Sequence, residues 1–388
     1  MFPYLSDLTN YLFGFSFSFP LPMFGFMVAL AFIAANYFFV LEMKRKEKLG
    51  LLTASTIKVM KGEKASTSEL VTNGLFGFLI GFKILGVVLN YSEIVSQDHG
   101  LPDYILSSQG NIFGGLIVGG IMAYLKYREK EKLRLPEPKE VEETVRPHQH
   151  VGTMTFIAAG AGILGAKLFD AIEDIEKLIE NPIDVIFSAS GLSIYGGLII
   201  GGGAVVYYAY KKGLKLVHVV DACAPGLMLA YGIGRIGCQL SGDGDWGMPN
   251  DLPMPDALSF LPEWMWKFDY PGNISGIDLG AVDRPVLIDG MTYTGNAWPT
   301  PFYETLMAFA IFGILWTIRN KVKVAGVIFS LYLMFNGVER FFIEKIRIND
   351  NYTILGMEAT QAEIIAVLLM LIGAASTIYL FKKSKSKV

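Results

Sequence analysis

The sequence predicts an all-α, polytopic integral membrane protein with about nine transmembrane helices and a small external head. Three observations lead there. Of 388 residues, 52% are hydrophobic and only 18% charged, whereas a soluble domain is about a quarter charged. Apolar runs long enough to cross about 30 Å of hydrocarbon occur near 22–41, 71–90, 111–127, 151–169, 193–210, 218–238, 301–318, 325–343 and 362–381. The connections 42–70, 125–150, 211–215, 319–323 and the tail 382–388 hold 24 of the 33 Lys and Arg. Because basic loops stay on the cytoplasmic side, the N-terminus is expected outside and the C-terminus inside.

The elements follow in order. Residues 1–21 lack the positively charged start of a secretory signal and read as an interfacial segment. Residues 22–127 hold the first transmembrane helix and a Gly-rich hairpin, and 128–150 form a charged cytoplasmic linker. A second hairpin and a signature helix occupy 151–238. The external head spans 239–298, where LPEWMWKF (261–268) offers tryptophans to the membrane interface. Residues 299–388 supply the C-terminal transmembrane helices and a basic tail. The 42 glycines suit helices that approach closely in lipid.

Several function classes drop out. A net charge of −3, with no basic run interleaved with aromatics, gives no sign of nucleic acid. Histidines at 99, 148, 150 and 218 form no zinc-type ligand pattern, and no phosphate-binding Gly-rich loop or nucleophile elbow appears. No metal or cofactor is therefore expected. Cys223 and Cys238 lie about four turns apart on one predicted helix, too far to bridge. His218 and Asp221, near the inner end of that helix, read as helix–helix contacts.

Two regions echo each other. GFKILGVVLNYSEIV (81–95) leads to SQGNIFGGLIVGG (108–120), and GAKLFDAIEDIEKLI (165–179) leads to ASGLSIYGGLIIGG (189–202). Each pairs a Lys on the outgoing helix with an aromatic-Gly-Gly on the returning one, which is the signature of a parallel duplication.

Lys83, Lys167, Arg235 and Arg340 lie within or at the edge of apolar runs. A cation at membrane depth costs at least a few kcal/mol and marks a functional site or a paired interior charge. Arg235, in GRIGCQLSGDGDWG (234–247), and Arg340, in NGVERFFIEKIR (336–347), each end a helix near the outer boundary. Two guanidiniums there suit a phosphodiester, to which each donates a forked pair of hydrogen bonds. Asp243, Asp245, Glu304, Glu339 and Glu344 are near enough in sequence to pair with them.

The ordered motifs resemble the bacterial prolipoprotein diacylglyceryl transferase family. DACAPGLMLAYGIGRIGCQLSGDGDWG (221–247) looks like the family's Asp-x-x-Ala-Pro stretch running into Gly-Arg-x-Gly. GLSIYGGLIIGG is similar to its Gly-x-x-x-His-Gly-Gly-x-x-Gly helix, and GAKLFD to the preceding Gly-Ala-Arg helix. PTPFYE (299–304) matches Pro-Thr-x-x-Tyr-Glu, and GVERFFIEKIR resembles Gly-x-x-Arg-Phe-x-x-Glu. The resemblance implies transfer of diacylglycerol from phosphatidylglycerol to the lipobox cysteine of a preprolipoprotein signal peptide, with release of glycerol phosphate. It implies a multi-pass protein of the bacterial cytoplasmic membrane, with membrane lipids around it and the site facing the outer leaflet.

By the same resemblance, Arg235, Arg340, Tyr195 and Glu344 would be catalytic. Lys167, Gly196, Gly197, Gly237, Cys238, Gln239, Asp243, Asp245, Gly247, Tyr303 and Glu304 would bind substrate. The chain departs from the pattern: the family histidine is Tyr195, the asparagine after Gly-Arg-x-Gly is Cys238, and the Gly-Ala-Arg arginine is Lys167. Two family tyrosines stand here as Asn336 and Phe24. The general base is thus left open, with Tyr195, Asp243, Asp245, Glu344 and the phosphate itself as alternatives. A transporter or flippase for an anionic lipid or metabolite, and an inactive lipid-binding relative, are the other readings.

Overall fold

The computed structural model describes all residues except 17, 18, 20, 96–103, 105, 106, 108, 174, 181–184, 186–192, 350, 355, 356, 387 and 388. His99 and parts of both expected hairpin turns fall outside that set. The described residues are overwhelmingly helical, with three separate two-stranded ribbons. They divide into two units, 1–52 with 214–388, and 53–213.

The first unit begins with α1 (Leu5–Phe13) and α2 (Met23–Lys48) and resumes with α9 (Leu216–Ser241), α10 (Thr300–Ile318), α11 (Val327–Glu344) and α12 (Gln361–Lys385). Helix α9 is its axis, packed against α2, α10 and α11, and α12 packs on α11. Ala224, Met228, Ala308, Ile311, Leu315 and Ile328 form the buried core, surrounded by Tyr231, Phe312 and Phe335. Glu42, Arg45 and Arg319 close one end, with Arg319 Nε 3.1 Å from Glu42. Asp221, also buried, accepts from the amides of Gly326 (2.7 Å) and Phe329 (2.9 Å), and so caps the start of α11. The contact expected for Asp221 is therefore present, and it is made with α11.

Between α9 and α10 the 239–298 segment builds its own small core from Trp246, Tyr270, Leu279, Tyr293 and Ala297. Strands β3 (Val286–Ile288) and β4 (Met291–Tyr293) form its ribbon. After α11, β5 (Asn351–Ile354) and β6 (Met357–Thr360) pair before α12.

The second unit holds β1 (Ser55–Lys61) and β2 (Lys139–Val145), paired antiparallel, and two helical hairpins. In the first, α3 (Thr67–Leu89) and α4 (Tyr91–Val95) precede α5 (Ile112–Lys132); in the second, α6 (Val151–Glu173) and α7 (Ile175–Glu180) precede α8 (Ile194–Lys211). The duplication is visible at the crossings. A Cβ on Gly81 would strike the Gly114 carbonyl and Val118, and one on Gly114 would strike the Gly81 carbonyl and Leu85. Gly165 meets the Gly196 carbonyl and Ile200, and Gly196 meets the Gly165 carbonyl and Phe169, in the same geometry. The returning helix is pinned alike in both: Asn111 N donates to Phe82 O at 2.8 Å, and Ser193 N to Ala166 O at 3.1 Å. Lys83 resolves its burial by donating to the carbonyls of Tyr104 (2.9 Å), Ser107 (2.5 Å) and Gln109 (2.7 Å). It closes the hairpin turn.

Among the described residues, six helical stretches are long and apolar enough to cross a membrane: Met23–Lys48, Thr67–Leu89, Pro147–Glu173, Leu216–Ser241, Thr300–Ile318 and Gln361–Lys385. The other three expected stretches are helical, as α5, α8 and α11, but are not among those six. They are less apolar for separate reasons. Helix α5 ends in a charged run, α8 is rich in Gly and Tyr, and α11 carries Glu339, Arg340 and Glu344.

Candidate active site

The last two turns of α9 place Arg235 and Cys238 on its buried face. Helix α9 then ends on Gly242 at φ +64°, and Gly244 follows at φ +96°, conformations that glycine adopts at little steric cost. This double reversal carries Asp245 back towards the helix end, where its side chain takes a hydrogen bond from Arg235 Nη1. Thr300, at the start of α10, fixes the turn by donating to the Asp245 carbonyl at 2.8 Å.

One turn into α10, Glu304 is fully buried and acts as the hub. Its carboxylate lies 2.5 Å from Arg235 Nε, 3.3 Å from Arg347 Nη1 and 3.6 Å from Arg340 Nη1. Arg340, near the end of α11, is held a second time by Glu344 at 2.9 Å. Glu344 is itself oriented by Asn349 Nδ2 (2.6 Å) and Thr360 Oγ1 (2.7 Å). Arg347 lies beyond α11 and donates to Asp245 at 2.9 Å.

The backbone explains how Arg347 arrives. Met248 N donates to Ile346 O at 2.9 Å, and Gly247 bridges Arg347 in antiparallel fashion. A Cβ at Gly247 would collide with the Ile346 carbonyl, so this contact requires glycine. Three guanidiniums from three chain segments thereby converge on Asp245, Glu304 and Glu344.

Burial pushes the Asp245 carboxyl up, but Arg235 and Arg347, by charge and hydrogen bonds, outweigh it and hold it at about 2. Burial opposes the Arg347 charge, and Asp245 and Glu304 overcome it and raise its pKa. Asp243 moves the other way: burial and the Asp245 charge raise it.

The structure thus brings together Arg235, Arg340, Asp245, Glu304 and Glu344 of the expected site. Cys238 sits beside them, its sulfur 3.9 Å from Arg235 Nη1 and 3.8 Å from Asp245. Asp243 and Glu339 make no ion pair among the described residues. Gln239 accepts from the Tyr270 hydroxyl at 3.1 Å, and Tyr303 donates to Met265 O at 2.7 Å. Both tie the 239–298 segment to the helices. Gly237 packs against Phe24 and Met27 of α2. Lys167, Tyr195, Gly196 and Gly197 belong to the 53–213 unit, where the glycines form the α6–α8 crossing and Lys167 Nζ lies 3.5 Å from Val185 O.

The sequence does not single out Arg347. Its signal was the spacing of seven from Arg340, two helical turns, but the helix stops at Glu344 and only the Gly247 bridge brings it in. Tyr231 was also missed; its ring lies under Arg235, 5.3 Å from the guanidinium carbon.

As to metals, the Cys238, Asp243 and Asp245 donor atoms lie within 4.8 Å of one another. Asp245 is already committed to two arginines, so this set favours cation pairing over metal ligation. The arrangement suits a phosphate: forked donors, already charged and largely buried.

Comparison with known proteins agrees. Residues 134–379 match the family described as prolipoprotein diacylglyceryl transferase. The phosphatidylglycerol–prolipoprotein diacylglyceryl transferase of Clostridium tetani is 29% identical over 236 residues, covering 61% of this chain and 80% of that protein. The enzyme of the same name from Corynebacterium glutamicum is 31% identical over 235 residues (59% and 68%), and that of Staphylococcus aureus 30% over 226 residues (58% and 71%). This chain belongs to the prolipoprotein diacylglyceryl transferase family.

Proposed function

We propose that the protein transfers the diacylglyceryl group of phosphatidylglycerol to the lipobox cysteine thiol of a preprolipoprotein and releases glycerol phosphate. The observation that carries this reading is the convergence of Arg235, Arg340 and Arg347 on buried carboxylates, in a chain of this family. In the proposed arrangement the nine long helices among the described residues span the bacterial cytoplasmic membrane. The N-terminus is outside, and the arginine cluster faces the outer leaflet.

The chemistry follows from the charges. The thiolate is the nucleophile, and it attacks the glycerol carbon bonded to phosphate. As that C–O bond breaks, its electron pair goes to the phosphate, which gains negative charge. Arg235 and Arg340 take the phosphodiester and the developing monoester, and Arg347 adds a third guanidinium. Cations already in place stabilise this change without reorganising. Glu304, Glu344 and Asp245 keep the forks oriented before substrate arrives.

The test is glycerol phosphate release by purified protein given phosphatidylglycerol and a lipobox peptide, beside Arg235→Ala. Release should require the peptide cysteine and drop at least about a hundredfold in the variant, the scale of losing one preorganised oxyanion donor. Release without peptide, or full activity in Arg235→Ala, rejects the proposal.

A further inference from the structure

We propose that Glu339, reached through Tyr231, accepts the proton that the acceptor thiol must lose. The inference rests on the transfer reading above. Asp245, Glu304 and Glu344 each hold at least one arginine. Glu339, the residue before Arg340, is 3% exposed and has no ion pair among the described residues. One of its oxygens accepts from the Tyr231 hydroxyl at 3.2 Å; the other is buried with no hydrogen-bond partner among them. Burying a carboxylate so incompletely satisfied costs several kcal/mol.

Position explains it better. The Tyr231 ring lies against the Arg235 guanidinium, and its hydroxyl reaches Glu339. One phenol therefore links the arginine assigned to phosphate with the helix carboxylate of the cluster that lacks a cation partner among the described residues. The charged and titratable groups facing Glu339 are Tyr231 and Arg235 from α9, Glu304 from α10 and Arg340 on its own helix. Helix α12 packs on the same helix, and its Glu363 is engaged by Lys345.

The step balances. The thiol proton passes to the Tyr231 oxygen as the phenol proton passes to Glu339, which leaves a thiolate and a neutral carboxylic acid. The thiolate forms the C–S bond while the C–O bond breaks towards phosphate. Glu339 then returns its proton, by the same phenol, to the phosphate monoester.

The experiment measures glycerol phosphate release between pH 6 and 10 for wild type, Glu339→Gln, Glu339→Asp, Tyr231→Phe and Asp243→Asn, with phosphatidylglycerol micelles and a lipobox peptide. Glu339→Gln should lose about 10²–10⁴-fold in kcat near pH 7, the range for a positioned base, with KM for phosphatidylglycerol unchanged. Its rate should then climb about tenfold per pH unit until the free thiol ionises near 8.5. Tyr231→Phe should show the same slope, and Glu339→Asp should recover part of the rate at neutral pH. A purely structural role would lower the rate by one factor at every pH, and that result overturns the inference. So does an unchanged Glu339→Gln, or Asp243→Asn showing the pH response instead. Wild type that releases nothing overturns the transfer reading and takes this inference with it; active wild type with an unaltered Glu339→Gln profile removes the inference alone.

Discussion

Replacing Glu304 with glutamine tests whether one carboxylate holds the arginine cluster together. Glutamine keeps the shape, so no cavity term enters and the change isolates charge. Glu304 is fully buried and lies within 3.6 Å of three guanidiniums. Breaking a buried ion pair by removing one partner costs about 3–5 kcal/mol. Each arginine retains another partner, Asp245 for Arg235 and Arg347 and Glu344 for Arg340, so about 3 kcal/mol is the better figure. For a unit of this size that corresponds to a Tm lower by roughly 6–12 °C, at about 2–4 °C per kcal/mol. The assay is thermal unfolding in detergent at fixed scan rate, because irreversible unfolding makes Tm rate-dependent. The variant also leaves the paired cluster one positive charge in excess. Phosphatidylglycerol, which supplies an anion, should therefore stabilise Glu304→Gln more than wild type. A Tm within a degree of wild type, or equal stabilisation of both by lipid, refutes the hub.

Other consequences are as direct. Gly165→Ala places a methyl on the Gly196 carbonyl and Gly81→Ala places one on the Gly114 carbonyl. Both should cost about 1–3 kcal/mol by overpacking, while Gly160→Ala, with open space around it, should cost nothing; melting in detergent compares the three. Asp245, held at about 2, contributes stability that is present above its ordinary pKa near 4 and is lost as pH falls through about 2. With its side chain 36% exposed, that contribution is discounted to about 1 kcal/mol, and acid titration of Asp245→Asn should lack this loss. Asp221→Ala removes the cap of α11 and leaves Lys46 at 3.7 Å without its carboxylate. About 3 kcal/mol of stability should go with it, with Asp221→Asn intermediate in the same melt.

The helices and the cluster differ in how far the chain revealed them. Apolar length predicts a span because the bilayer sets one scale, so α2, α3, α9, α10 and α12 fall where the runs lie. Helix α11 was legible from its motif, although its charges weaken its hydropathy. The duplication was readable in Gly-x-Lys and Gly-Gly because both crossings need a missing Cβ at the same register. Arg235, Arg340, Glu304 and Glu344 were readable because each lies on a helix at a motif position. Arg347 was not, since a β-bridge between two irregular segments leaves no periodic trace. Glu339 was noticed as a nearby acid, but only packing reveals that its neighbours' carboxylates are paired and its own is not.

The cluster is closed upon itself, and this bears on how a phosphate enters. Three arginines meet three carboxylates, so on the proposed reading an anionic headgroup has to displace one of them. Glu304 and Glu344 have no exposed side-chain surface, whereas Asp245 is partly open and sits on a turn made by two glycines in left-handed conformations. Asp245 is also the carboxylate that holds both Arg235 and Arg347 without touching Arg340. Its departure frees two forks at once, while Glu304 and Glu344 keep all three arginines aimed. On the proposed reading, the Gly-Asp-Gly-Asp turn between α9 and α10 carries the carboxylate that gives way to substrate, because its two left-handed glycines hold Asp245 outside the helices.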